Sequence, residues 1–192
     1  SRTHIVRQDY WAKKAKLKGF RSRAVFKIME IDQKVDLFKN VKSILDIGSS
    51  PGGWSEYASK KCPNKNIFAI DLLEMEPVDN VSFFKADIKN IDQIKAVNDK
   101  KGTFDLVISD LAPNITGIGA IDNESILELN MLTLEIAVNL SKTQSKFLVK
   151  TFQNNNFKYF RSFMEKKFSL VQNFKPLASK NRSSEIYLYG EN

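Results

Sequence analysis

Four aspartates stand at or near the ends of short apolar runs: Asp46 in Ser43-Ile44-Leu45-Asp46-Ile47, Asp71 after Ile67 to Ile70, Asp87 after Val81 to Ala86, and Asp110 after Phe104 to Ser109. Each run reads as a strand, so four carboxylates are expected at one carboxyl edge, where doubly wound sheets bind nucleotides. The first run breaks into Gly48-Ser49-Ser50-Pro51-Gly52-Gly53 and resumes as helix at Trp54. Backbone without side chains can take positive φ there and let a ligand reach the chain and the helix N-terminus. The spacing G-x-x-x-G-G is neither the dinucleotide G-x-G-x-x-G nor a phosphate loop followed by Lys and Ser or Thr. Asp71 takes the place of an acid that holds ribose hydroxyls. An aspartate at a strand end can also simply cap the next turn, but four in register beside a glycine loop argue for a site.

Two lysines stand near that edge. The run Phe147-Leu148-Val149 is apolar without alternation and finishes at Lys150, where an ammonium needs partners to offset its desolvation. Lys27 falls three residues after Ala24 and four before Ile31, on the border of the helical stripe Ala24, Ile28, Ile31 and Val35. It can lay its stem along the core edge or serve a site.

The elements that must position these groups alternate strand and helix, which predicts an α/β fold of one domain over residues 1–192, with residues 1–27 as a basic appendage within it. Asp9 is expected to cap a short helix from Tyr10 to Lys18 that Gly19 ends, and Ser22 to cap the next. Further helices are expected from Trp54 to Lys60, from about Asn90 to Lys100, from Ser125 to Leu140 and from Phe157 to Lys167. Late strands run from Leu170 to Phe174 and from Glu185 to Tyr189. Pro113 fixes the loop Asp110 to Asn114, and Ile115 to Ile121, with Gly117 and Gly119, is expected to be mobile.

Charge is segregated. Of 30 lysines and arginines against 22 acids, nine fall within residues 1–27 beside Asp9 alone, so that segment carries +8 and the remainder is neutral. Arg7, Lys13, Lys14, Lys16, Lys18, Arg21 and Arg23, with Arg182 in the loop before the last strand, are expected to contact a phosphate backbone, although a basic block can be only a solvated tail. Tyr10, Trp11 and Phe20 interleave with the lysines, either to stack on bases or to pack onto the domain. No apolar run approaches the ~20 residues of a membrane span. One Cys and one His do not make a metal site. Cys62 alone rules out an internal disulfide and fits a reducing intracellular compartment, whether cytoplasm, nucleus or an organelle such as the mitochondrion. A monomer without metal or membrane partner is expected, and the start at Ser1 is read as a processed or trimmed terminus.

Six segments together resemble the FtsJ (RrmJ) family of RNA ribose 2′-O-methyltransferases, in order from about Asp9 to the last strand. They are Arg21-Ser22-Arg23-Ala24-x-Phe26-Lys27, Asp46-Ile47-Gly48 through Pro51-Gly52-Gly53-Trp54-Ser55, Asp71-Leu72-Leu73, Ser109-Asp110-Leu111-Ala112-Pro113-Asn114, Val149-Lys150-x-Phe152-Gln153 and Arg182-Ser183-Ser184-Glu185-x-Tyr187. The resemblance implies a Rossmann-like S-adenosylmethionine-dependent methyltransferase fold, a mostly parallel seven-stranded sheet with one antiparallel strand and helices on both faces. It implies that S-adenosylmethionine, and the product S-adenosylhomocysteine, are held by Gly52, Trp54, Asp71, Asp87 and Asp110. Asp46 and Gly48 would shape that pocket, with Ser49, Pro51, Gly53, Leu72 and Ile88 beside them. The family's catalytic Lys-Asp-Lys-Glu set falls on Lys27, Asp110, Lys150 and Glu185. Ser49-Ser50 replaces small residues such as Ala, and Asn154 to Asn156 replaces a Gly-containing turn, but neither removes a functional group. The implied substrate is RNA, first a uridine of large-subunit ribosomal RNA and second a tRNA anticodon loop. A non-catalytic RNA-binding module on the same fold is the alternative outside enzymes, and the intact catalytic set argues against it.

Methyl transfer from a sulfonium to a ribose hydroxyl is an in-line displacement, in which orientation can supply on the order of 7–11 kcal/mol. The hydroxyl must lose its proton, and Lys150 is the expected base. It must be neutral to accept one, which Lys27 and the cofactor's positive sulfur favour and Asp110 opposes. Asp110 is therefore expected to orient Lys150, and Glu185 to hold the lysine pair and the ribose.

Overall fold

A computed structural model describes residues 2–63, 66–179 and 183–192, with side chains from Tyr10 onward; Arg7 and Arg182 therefore lie outside the described side chains. In chain order the elements are α1 (Arg2–Leu17), α2 (Ala24–Val35), β1 (Ser43–Ile47), α3 (Gly53–Lys61), β2 (Asn66–Asp71), β3 (Val81–Lys85), a 3₁₀ helix (Ile88–Gln93), α4 (Lys95–Asn98), β4 (Phe104–Ser109), α5 (Gly119–Leu140), β5 (Ser141–Phe152), α6 (Phe157–Lys167), β6 (Leu170–Phe174) and β7 (Glu185–Glu191). The strands form one sheet in the order β3-β2-β1-β4-β5-β7-β6. All neighbours pair in parallel from β3 through β5, and β7 alone runs against both of its neighbours, β5 and β6.

Successive strand residues point to opposite faces, and both faces are covered. Leu45, Val107, Phe147 and Val149 pack with Leu134, Ala137, Phe160 and Met164 of α5 and α6, while Ile44, Leu106, Ile108 and Leu148 pack with Ile28, Ile31, Trp54 and Ala58 of α2 and α3. Two-sided burial is why the central strands read as unbroken apolar runs. Parallel strands returned through helices bring their carboxyl ends, and the loops that follow, to one edge.

Local departures from expectation have local causes. α1 begins at Arg2, so Asp9 lies inside it and not ahead of its first turn; no Gly or Pro interrupts residues 2–17. Ser22 does accept the Ala24 N–H at 3.2 Å, just ahead of α2. The helix expected over 90–100 divides into the 3₁₀ helix and the four-residue α4. Asp87 accepts the Lys89 N–H and starts a turn directly after β3, and Asn90 and Ile94 then leave helical geometry. α5 starts before Ser125 because Asp122 accepts Thr116 N–H, Thr116 O–H and Gly117 N–H at 2.8, 2.7 and 3.0 Å. The segment expected to be mobile is thus partly helix and partly tied to it.

Candidate active site

Lys27 from α2, Asp110 just after β4, Lys150 near the end of β5 and Glu185 at the start of β7 meet at the carboxyl edge. The antiparallel register sets Phe152 opposite Glu185 and Lys150 opposite Tyr187, which brings the β5 lysine and the β7 glutamate within reach of each other. Lys27 Nζ donates to Glu185 Oε1 at 2.7 Å, a buried pair. Lys150 Nζ stands 3.4 Å from Asp110 Oδ1 and 4.0 Å from Glu185 Oε2. Two ammonium groups and two carboxylates balance, but unequally: Lys27 is held by a short hydrogen bond, whereas Lys150 rests between two looser ion pairs. Burial pushes the Glu185 carboxyl up, yet the Lys27 ammonium and its hydrogen bond, with Lys150 and Tyr187, hold it below the usual carboxylate range.

Tyr187 carried no assigned role in the sequence reading. Its hydroxyl donates to Asp110 Oδ1 at 2.5 Å and stands 3.2 Å from Glu185 Oε1, bridging the two carboxylates. Burial first, then Asp110 and Glu185, raise its pKa well above that of an ordinary phenol, so it stays a donor. The period-two face Glu185, Tyr187, Tyr189 was the available signal. The Ser179 hydroxyl reaches Glu185 Oε1 at 3.3 Å, and Lys175 Nζ donates to the carbonyls of Ser183, at 2.8 Å, and of Glu185. Both come from a loop whose path no residue pattern announces.

Beside this cluster Gly48, Asp71, Leu72, Asp87 and Ile88 meet Leu111, Pro113 and Leu129 around a cavity of about 440 Å³. The Asp71 carboxylate is fixed by the N–H groups of Ser50 at 2.9 Å and Leu73 at 2.8 Å; a carboxylate retains further lone pairs for hydroxyl donors. Asp87 accepts from Lys89 N–H at 3.0 Å through one oxygen. Gly48 has φ +75°, and a Cβ there would lie 2.6 Å from Leu111. Apolar walls with two anchored carboxylates fit a nucleoside, whose base is flat and whose hydroxyl and amino groups donate. The Ser49 hydroxyl is buried without a partner among the described residues, beside the glycine loop.

Other expected pocket residues do different work. Asp46, the fourth of five residues in β1, is buried below the edge and accepts from Ser55 Oγ at 2.7 Å. Burial pushes its carboxyl up to about 7 against that hydrogen bond, with Asp110 and Asp71 adding to the rise. Trp54 is turned away into the core: its Nε1 donates to Ala24 O at 2.8 Å and its ring lies 5.7 Å from that of Tyr187. A large ring with one donor is satisfied there on both counts. A Cβ on Gly52 would meet Met75 and Arg21 at 3.1 and 3.2 Å, and one on Gly53 would meet Ser22 Oγ at 2.9 Å, so these glycines admit the entry to α2. Pro51 is exposed and offers its carbonyl to Arg21. Asp110 belongs to the charged cluster and does not line the cavity.

The basic segment divides likewise. Arg21 is an internal brace: Nε pairs with Glu56 at 3.3 Å, and its guanidinium donates to the carbonyls of Pro51, Glu76 and Pro77. Lys14 lies over the rings of Tyr10, Trp11 and Phe26 at 5.8, 5.2 and 5.1 Å. Trp11 and Phe20 pack on Phe26, the domain-packing alternative, while Tyr10 stays exposed. Lys13, Lys16 and Lys18 point to solvent and Arg23 is half-buried. Among the described residues no group of three or more His, Cys, Asp and Glu could hold a metal, and no helix is long and apolar enough to cross a membrane.

The family model described as FtsJ-like methyltransferase matches residues 20–192. A protein of Nitrosospira multiformis named ribosomal RNA large subunit methyltransferase E is 41% identical over 185 residues, covering 95% of this chain and 90% of the relative. A protein of the same name from Ehrlichia chaffeensis is 38% identical over 192 residues, covering 97% and 90%. A crystal structure from Plasmodium falciparum, provisionally assigned as a ribosomal RNA methyltransferase, superposes with a TM-score of 0.78 at 28% identity, over 90% of this chain and 98% of that one.

Proposed function

The chain belongs to the FtsJ-like methyltransferase family, and from that premise we propose that it methylates the 2′-hydroxyl of a ribose in large-subunit ribosomal RNA, a uridine, with S-adenosylmethionine as donor. The observation that carries the reading is the convergence of Lys27, Asp110, Lys150 and Glu185 beside a nucleoside-sized cavity. Asp71, Asp87, Gly48, Leu72 and Ile88 would hold S-adenosylmethionine, which supplies an electrophilic methyl group on a positively charged sulfur and leaves as S-adenosylhomocysteine. Lys150, the less firmly held lysine, takes the proton from the ribose hydroxyl. Asp110, itself fixed by Tyr187, aims the Lys150 amino group, and Lys27 stays bound to Glu185 as a fixed positive charge. The exposed lysines of α1 contact the RNA backbone.

The test is transfer of labelled methyl groups into separate pools of large-subunit ribosomal RNA, ribosomal particles and tRNA, followed by nucleoside analysis. Label in 2′-O-methyluridine from ribosomal RNA or particles is the expected result. Label in tRNA alone would replace the substrate, and no transfer to any pool, despite binding of cofactor and RNA, would favour a non-catalytic RNA-binding module.

A further inference from the structure

Lys150 sits where the sheet opens. The parallel register of β4 with β5 ends with Ser109 opposite Val149, and β4 stops there, so no β4 residue stands opposite Lys150. The opening lets the side chains of Asp110 and Lys150 share a cleft, and it takes away one of the two strands that would hold the Lys150 main chain. A side chain from α5 takes that place. Asn130, 4% exposed, donates from Nδ2 to the Lys150 carbonyl at 2.9 Å and accepts from Thr151 Oγ1 at 2.6 Å. The orientation is forced: a carbonyl only accepts, so the amide nitrogen must face Lys150, and Oδ1 is left for a hydroxyl that must donate.

We propose that Asn130, locked by Thr151, is a positioning residue for methyl transfer, fixing the Lys150 main chain so that Nζ reaches its place between Asp110 and Glu185. This rests on Lys150 as the proton acceptor. The ion pairs of Lys150, at 3.4 and 4.0 Å, are too long to set the place of a long flexible side chain by themselves. Its root therefore decides where Nζ lies. α5 is also anchored at its start, where Asp122 holds Thr116 and Gly117, so one helix ties the loop after Asp110 to the main chain of Lys150.

Asn130→Leu keeps the branched shape and the number of side-chain heavy atoms and removes both hydrogen bonds. Since a displacement of about 1 Å can cost on the order of 100-fold in rate, kcat is expected to fall about 10- to 100-fold. KM for RNA and the calorimetric Kd for S-adenosylhomocysteine are expected to stay within about twofold, the pattern of an interaction that matters only to the chemical step. Thr151→Val, which leaves the bond to Lys150 but frees Oδ1, should give a smaller fall and serves if Asn130→Leu does not fold. Leu134→Ala, a buried cavity variant in the same helix, should lower the melting temperature without changing kcat of the folded enzyme. Wild-type kcat in Asn130→Leu, or loss of kcat, RNA affinity and cofactor affinity together as for a loosened fold, would overturn the proposal. Lys150→Ala in the same assay separates the premise: if it turns over normally, the proton-acceptor reading fails; if it is dead while Asn130→Leu is normal, only the role of Asn130 fails.

Discussion

Lys27 and Lys150 bring the same group into one cluster, and their partners separate their roles. Lys150→Ala should abolish methyl transfer while calorimetry shows nearly unchanged affinity for S-adenosylhomocysteine; equal loss of both would make Lys150 structural. Lys27→Met should instead leave the Glu185 carboxylate buried without its closest cation, costing about 3–5 kcal/mol in urea unfolding. Both lysines were legible in the sequence because each breaks a local rule, an ammonium at the end of an apolar strand or beside an apolar stripe. Tyr187 breaks none, since a tyrosine in a strand is ordinary; period two sets it on the face of Glu185, but its bridge to Asp110 emerges from the structure. Asp46 was legible as a residue near the strand end, but its burial and its bond to Ser55 emerge only from the structure. Its folded carboxyl, pushed up to about 7, lies above the ~3.9 of an unfolded aspartate. The folded state therefore keeps a proton that the unfolded state has lost, and the stability this represents is complete below pH ~4 and lost as pH rises to about 7, on the order of 4 kcal/mol. Asp46→Asn, neutral throughout, should gain on the wild type between pH 5 and pH 8 in urea unfolding; a constant difference across that range would show Asp46 ionised at both ends.

At the scale of elements, β1, β2 and β4 could be read almost to the residue because burial on both faces leaves little ambiguity, and α6 and β6 follow their apolar pattern to the ends predicted, whereas β5 was read only over its apolar run Phe147 to Lys150 and begins six residues earlier, at the polar Ser141. Helix starts fared worse. α5 begins where Asp122 bonds back to Thr116 and Gly117, and the segment after β3 winds into a 3₁₀ helix around Asp87, both decided by side-chain acceptors that propensity does not weigh. α1 shows that position on a helix decides what a charge can do. Lys14 is committed to three rings, whereas Lys13, Lys16 and Lys18 face solvent. Neutralising those three together should weaken RNA binding and reduce its log–log salt slope by about 2, at roughly 0.7 per contact with single-stranded RNA. Lys14→Ala should leave the slope nearly unchanged and cost about 1 kcal/mol of stability through lost cation–π contact. A slope unaffected by the triple change would remove α1 from the RNA interface.

For the molecule as a whole, the cavity matters because its walls come from different strand ends. Gly48 follows β1, Asp71 closes β2, Asp87 and Ile88 follow β3, and Leu111 and Pro113 follow β4. A ligand held there bridges the ends of four parallel strands, and it binds the folded state alone, because unfolding disperses all four contributors. S-adenosylhomocysteine at about 100 times its Kd should then add about 2.7 kcal/mol. At about 2–4 °C per kcal/mol for a chain of this size, the melting temperature should rise by roughly 5–10 °C. The charged cluster and the cavity adjoin but share no wall residue, so their variants should separate in this measurement. Lys150→Ala should keep the full rise, since it touches only the cluster. Asp71→Ala should lose most of it, because the carboxylate fixed by Ser50 and Leu73 is the group aimed at ribose hydroxyls. A full thermal shift in Asp71→Ala would take that carboxylate out of the ligand site, and a shift lost in Lys150→Ala would mean that cluster and cavity bind the ligand as one unit.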